Sequence, residues 1–181
     1  MEPERLIVLI TGEPGTGKST LALRVLEDVR SRPLKIHGVL TAGRFAGGCK
    51  VGLAVTNVDS GEVRSLASLG GGPGALQTSR WRFHARGVAW GAAVIARAAP
   101  CDLLVIDELG PLELERGEGW RVGLDVLHQG AYRAALVVVR SALVERFREL
   151  IPSEAVLAFT VTSENRDLVA SQVVARLREN L

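Results

Sequence analysis

The sequence predicts a three-layer α/β fold: a mostly parallel sheet with helices on both faces and an inserted β-hairpin over about residues 36–68. Three observations carry this. Strand-like and helix-like segments alternate along most of the chain. The runs "LLVIDE" and "ALVVVR" are apolar throughout, as strands covered on both faces are. A glycine-rich turn, "GEPGTGKST" at 12–20, joins the first strand to the first helix.

The elements follow in order. "RLIVLI" (5–10) is short, β-branched and apolar, and Gly12 stops it. "KSTLALRVLEDVR" (18–30) places Leu21, Val25, Leu26 and Val29 at helical spacing, and Pro33 ends it. "IHGVLTA" (36–42), "CKVGLAVTNV" (49–58) and "EVRSLAS" (62–68) read as strands joined by the turn chemistry of "GRFAGG" and "DSG". They predict a meander or hairpin projecting from the main sheet. "LGGGPGALQ" (69–77) reads as a flexible loop, either a lid or a plain linker. "RWRFHA" is a further strand candidate. "GVAWGAAVIARAA" is a helix ended by Pro100, and "CDLLVIDE" (101–108) is the clearest buried strand. A helix over about 117–129, the strand "ALVVVR", the helix "ALVERFREL", the strand "AVLAFTV" and a closing helix in "SENRDLVASQVVARLREN" complete the chain. No internal repeat is visible.

With 181 residues the chain is expected to form a single domain, 1–181, with a full-sized core. Apolar residues make up 47%, yet no run is long enough to cross a bilayer. The start "MEPERLIVLI" lacks the basic opening of a secretory signal, so a cytoplasmic protein is expected. Net charge is +2, too mild to indicate a nucleic-acid partner. Cys49 and Cys101 lack metal-ligand spacing, and His37, His84 and His128 are scattered, so no protein-bound zinc is expected. A monomer is expected, with its protein partners undefined.

Residues 12–19 match G-x-x-x-x-G-K-[ST], the phosphate-binding loop. Gly12, Glu13, Pro14, Gly15, Thr16 and Gly17 would turn backbone N–H groups inward to form an anion nest. Lys18, Ser19 and Thr20 open the helix, whose dipole adds positive potential. Lys18 would reach the β- and γ-phosphates, and the Ser19 hydroxyl would ligate Mg²⁺. The ligand expected is a nucleoside triphosphate with its magnesium, in the three-layer fold of P-loop NTPases. "LLVIDELGPLELE" (103–115) supplies a second motif. Asp107 ends a strand and fits the Walker B role toward Mg²⁺. Glu108 follows and would polarise a water in line with the γ-phosphorus. "DELG" also fits the D-x-x-G of GTPases, but no N-K-x-D accompanies it.

With these motifs in place the chain resembles the small P-loop nucleoside-triphosphatase family first described from thermophiles, which has a human cancer-related member. The resemblance rests on "ITGEPGTGKSTL", "GVLTAGRFAGGCKVGLAV", "VIDELGPLEL" and "VTSENRDLV", in the family's order and across the chain. It implies slow, magnesium-dependent hydrolysis of ATP, GTP, CTP and UTP to the diphosphate and phosphate. It implies roles for Lys18, Ser19, Asp107 and Glu108, and further roles for Arg44, Glu113, Asn165 and Arg166. The chain departs from the family pattern at Ala42, Lys50, Leu53 and Pro111.

Arg44, in a loop at the expected ligand end of the sheet, is the first candidate to stabilise charge on the γ-phosphate, with Arg140, Arg146 and Arg148 as rivals. Asn165 and Arg166 are candidates for base contact, although "TSENRD" also suits a simple helix start. Trp81 and Trp120 are further stacking candidates, and Trp90 is expected in the core. Three functions stay open: hydrolysis, phosphoryl transfer by a small-molecule or nucleotide kinase, and a nucleotide-dependent binding module.

Overall fold

The computed structural model describes residues 5–70, 76–78, 80–152 and 156–181. Most of the glycine-rich segment at 69–77 lies outside them. An eight-stranded sheet organises the chain, in the order β5-β4-β3-β2-β6-β7-β1-β8. Its parallel half comprises β1 (Leu6–Thr11), β6 (Cys101–Leu109), β7 (Tyr132–Val139), β8 (Val156–Thr160) and the first part of β2 (Ile36–Ala46). β1, β6 and β7 are buried because helices cover both faces, whereas β8 is the sheet edge and stays largely exposed. Every residue of β1 is buried, and so is every residue of β7 except Arg133.

On one face α1 (Lys18–Val29) packs against α6 (Arg166–Asn180). Leu21, Val25 and Leu26 of α1 meet Val169, Val173 and Leu177 of α6 in one apolar cluster with Val8 and Ile10 of β1. The other face carries α2 (Ala85–Ala96), α4 (Val122–Gln129) and α5 (Val144–Leu150), closed around Ile95, Leu124 and Phe147. Area burial at roughly 25 cal/mol per Å² makes these two clusters the main source of stability.

The expected meander runs through β2, β3 (Cys49–Asn57), β4 (Val63–Leu69) and β5 (Trp81–Phe83). It does not project from the sheet. It continues it, because β2 serves both halves: Ile36–Val39 pair with Leu103–Ile106, and the strand from Val39 onward pairs with β3. The strand reaches Ala46, so the turn shrinks to Gly47–Gly48. At the junction Gly38 has φ +121°, and a Cβ there would stand 1.9 Å from the Val105 carbonyl oxygen. Only glycine lets β2 lie that close to β6.

Two boundaries differ from the sequence reading. The helix expected at 117–129 begins at Val122, preceded by the short α3 (Pro111–Leu114). Gly117 and Gly119 hold left-handed backbone, which an α-helix excludes. The closing helix starts at Arg166, after a turn built by Thr162. Trp120 is the deeply buried tryptophan beside α2, its indole N–H donating to the Val88 carbonyl at 3.1 Å. Trp90 packs against the same cluster while staying half-exposed under Arg64. Among the described residues no helix is long and apolar enough to cross a membrane.

Candidate active site

Strand order brings the two motifs together. β7 lies between β1, which feeds the glycine-rich loop, and β6, which carries the two acids just before its last residue. The carboxyl ends of these parallel strands face the same way, where ligands of such sheets bind. In the loop, Gly15 and Gly17 hold φ +84° and +89°, which opens the turn that leads into α1.

Lys18 is 7% exposed. Its ammonium donates to the carbonyls of Gly12 at 2.9 Å and Glu13 at 2.8 Å, so it rests folded over the loop. Burial lowers its pKa, Glu108 raises it, and Arg140 lowers it again. Lys18, Glu108 and Arg140 line one cavity.

The Ser19 hydroxyl donates to Asp107 Oδ1 at 3.2 Å. Asp107 is fully buried, and its Oδ2 accepts from the Thr41 N–H at 3.1 Å and hydroxyl at 3.2 Å. Burial, then the charge of Glu108, push Asp107 up to about 7, while the bonds from Thr41 and Ser19 oppose the shift. The Asp107–Glu108 peptide is cis. A hydroxyl and a carboxylate oxygen in contact suit a hard cation. Among the described residues no group of three or more His, Cys, Asp or Glu forms a dedicated cage. This sparse oxygen set fits magnesium, which takes few protein ligands when phosphates complete its shell.

Glu108 is paired. Arg140, at the end of β7, donates from Nε to its carboxylate at 2.7 Å. Arg140 lines the cavity in front of the loop, as do Lys18, Ser19 and Glu108. Ser141, the next residue, donates to the Glu13 carboxylate and ties the loop to β7.

Arg44 is not brought to this cavity. It sits on β2 and donates to the Ser65 hydroxyl at 3.3 Å, while its neighbours Gly43 and Phe45 line the cavity with Lys50. Of the rival arginines, Arg146 and Arg148 pair with Glu149 and Glu145 on α5. Glu113 has a structural position: its carboxylate accepts from the N–H of Gly110 at 2.8 Å and of Trp120 at 2.9 Å, shaping the turn after β6.

Asn165 and Arg166 part company. The Asn165 amide donates to the Thr160 carbonyl at 3.0 Å and accepts from the Thr162 N–H at 2.8 Å, so it braces its own turn. Arg166 lies against the loop, its Nε 2.8 Å from where a Cβ on Gly17 would sit. That Nε is buried without a hydrogen-bond partner. An unpartnered guanidinium N–H at an anion nest is what a phosphate oxygen satisfies. Lys50 and Arg140 were the contributions sequence reasoning undervalued. Lys50 is visible in the sequence as a departure from a family pattern, and Arg140 as a rival to Arg44 that ends a strand.

The family model described as NTPase matches residues 7–174. A relative named nucleoside-triphosphatase THEP1 from Thermofilum pendens is 32% identical over 171 residues, covering 93% of each chain. One of the same name from Thermococcus kodakarensis is 32% identical over 181 residues, covering 97% of this chain and 96% of its own. The solution structure of a human cancer-related nucleoside triphosphatase superimposes with a TM-score of 0.75 at 24% identity, covering 97% of this chain and 99% of that one. The crystal structure of THEP1 from Aquifex aeolicus gives 0.71 at 18%, covering 95% and 99%. Those two likenesses establish a shared fold. Taken with the match over residues 7–174, they leave one conclusion: the chain belongs to the NTPase family.

Proposed function

We propose that the chain hydrolyses nucleoside triphosphates to the diphosphate and phosphate, with magnesium and with little preference among ATP, GTP, CTP and UTP. The observation that carries this is the meeting of Lys18, Ser19, Asp107 and Glu108 at the ends of β1 and β6, with Ser19 3.2 Å from Asp107. The names of the relatives agree with it.

The triphosphate would lie in the loop's N–H nest, with Arg166 against Gly17 supplying one more donor. Lys18 would leave the carbonyls of Gly12 and Glu13 for the β- and γ-phosphate oxygens. Ser19 and Asp107 would hold magnesium, which when bound neutralises phosphate charge, and Thr41 keeps Asp107 oriented for that task. Glu108 takes a proton from the attacking water, and the β–γ bridging oxygen leaves with its electron pair on the diphosphate. Arg140 would release Glu108 and meet the charge growing on the γ-phosphate. That exchange would free the base and supply the cation in one motion, and its cost would make turnover slow. Broad base use follows from Asn165, whose amide is committed to its own turn.

The test is phosphate release from the four triphosphates, with nucleotide binding measured alongside. Glu108→Gln should bind and not turn over. Wild-type turnover in that variant would remove Glu108 from the mechanism.

A further inference from the structure

Attack by one water needs little room, yet beyond the loop that would take the phosphates the cavity continues to the meander, for about 630 Å³ in all. That is inside the roughly 300–1,000 Å³ typical of small-molecule sites. It runs from the glycine-rich loop past Glu108 to the meander, and none of its lining comes from the β8–α6 turn that carries Arg166. The space therefore lies on the γ-phosphate side, away from Arg166.

The far end is built differently from the loop. Two cations stand on one ring: Lys50 Nζ is 5.5 Å and the Arg80 guanidinium 5.1 Å from the Trp81 centroid. Both are within cation–π reach. Trp81 is 7% exposed, so the platform is fixed. Among the described residues neither cation makes an ion pair. Burial, then the charge of Arg80, hold Lys50 below its ordinary range, and the charges of Glu108 and Asp107 oppose the shift in part. Beyond them the walls are apolar: Leu53, Leu66, Phe83, Val88 and Trp120. Unpaired cations beside flat apolar walls match an anion attached to a planar ring.

We propose that this end of the cavity is a subsite for a nucleoside monophosphate, which accepts the γ-phosphoryl group in place of water. The assignment rests on the glycine-rich loop holding the triphosphate. Lys50 and Arg80 hold the monophosphate, and its base lies among the apolar walls. One monophosphate oxygen forms the new bond to the γ-phosphorus, and the bond to the β–γ bridging oxygen breaks. The electron pair leaves on the first nucleoside diphosphate, and the acceptor becomes the second. A phosphomonoester has its second pKa near 6, so at pH 8 the attacking oxygen is already ionised and no proton has to move.

The test uses the intact chain saturated with magnesium and AMP-PNP, so that the loop is filled. AMP, GMP, CMP and UMP are titrated by calorimetry, with adenosine and inorganic phosphate as the two halves of the ligand. At least one monophosphate should bind about tenfold or more tightly than either half, and Arg80→Gln or Lys50→Met should weaken it on the order of tenfold. Arg80 is exposed and Lys50→Met keeps the apolar stem, so both variants should fold. With [γ-³²P]ATP, label should appear in the acceptor's diphosphate, and Glu108→Gln should lose phosphate release while keeping transfer. Absence of monophosphate binding, binding indifferent to both substitutions, binding without transfer, or joint loss of both reactions in Glu108→Gln would overturn the proposal. Failure of AMP-PNP itself to bind would overturn the loop reading, and this one with it, and is scored in a separate titration.

Discussion

The two halves of the sheet do opposite things with their side chains. In the parallel half the central strands are buried and the polar groups at their ends are paired: Asp107 between Ser19 and Thr41, Lys18 over two carbonyls, Glu108 on Arg140, with only the edge strand β8 left largely exposed. In the antiparallel half Phe45, Val51, Val63 and Leu69 stay exposed, and Lys50 and Arg80 rest on a ring with no ion-pair partner among the described residues. Chemistry on phosphate needs groups held before the substrate arrives. Recognition of a second molecule needs surface left unsatisfied until it binds. The sheet separates these requirements at β2, which belongs to both halves.

Breaking the parallel half should give the largest effect. Lys18→Ala removes the only lysine in the loop and should abolish nucleotide binding and turnover together, a loss on the order of 10³-fold or more in kcat/KM. Glu108→Gln should cost about 10²–10⁴-fold in kcat with binding retained. Nucleotide titration beside phosphate release separates the two variants. A Glu108→Gln enzyme that no longer binds nucleotide would mean that Glu108 shapes the loop and does not act on water.

The junction is tested through stability. Gly38→Ala places a methyl 1.9 Å from the Val105 oxygen on a backbone at φ +121°. It should cost about 3 kcal/mol or more in chemical denaturation. A cost under about 1 kcal/mol would mean that β2 is free to shift on β6, and that the two halves are less rigidly joined.

Glu113 gives a smaller and pH-dependent effect. Burial raises its pKa, and the N–H groups of Trp120 and Gly110 only partly oppose this. The folded chain then holds that proton more tightly than the unfolded chain, so the group's contribution to stability falls as pH rises. The fall begins near the unfolded pKa and ends above the raised folded one. Glu113→Gln removes that slope, so urea midpoints at pH 4, 6 and 8 should converge on or move past wild type as pH increases. Midpoints that diverge the other way would show that the two N–H bonds outweigh burial.

Much of the parallel half was legible because its information is local. The glycine pattern at 12–19 and the apolar strand ending in Asp107 each need only a few neighbouring residues to be read. Arg140 stood among the rivals to Arg44, but its pairing with Glu108 was not legible, because Arg140 comes 32 residues later and reaches it only through the placement of β7 beside β6. The meander was recognised from its turns, but its faces were not. Strand residues alternate sides, so an error of one position moves a side chain to the opposite face. Register places Phe45 opposite Lys50 and Gly43 opposite Leu53, all on the cavity side, and a bulge falls between Arg44 and Phe45.

Arg44 is therefore the smallest and most discriminating test. It carries the residue type expected of a charge-stabilising group and lies in the family-like stretch "GVLTAGRFAGGCKVGLAV". Its guanidinium rests 3.3 Å from Ser65, whose hydroxyl also lies 3.1 Å from His84 Nδ1. Those contacts are exposed, so losing them should change stability by less than about 0.5 kcal/mol. Arg44→Ala should leave phosphate release within about threefold of wild type, while Arg140→Ala should lose on the order of 10²–10³-fold. The reverse ranking would require β2 to turn its outer face inward once nucleotide is bound. The two halves would then exchange a residue during the reaction, and the separation at β2 would describe only the nucleotide-free chain.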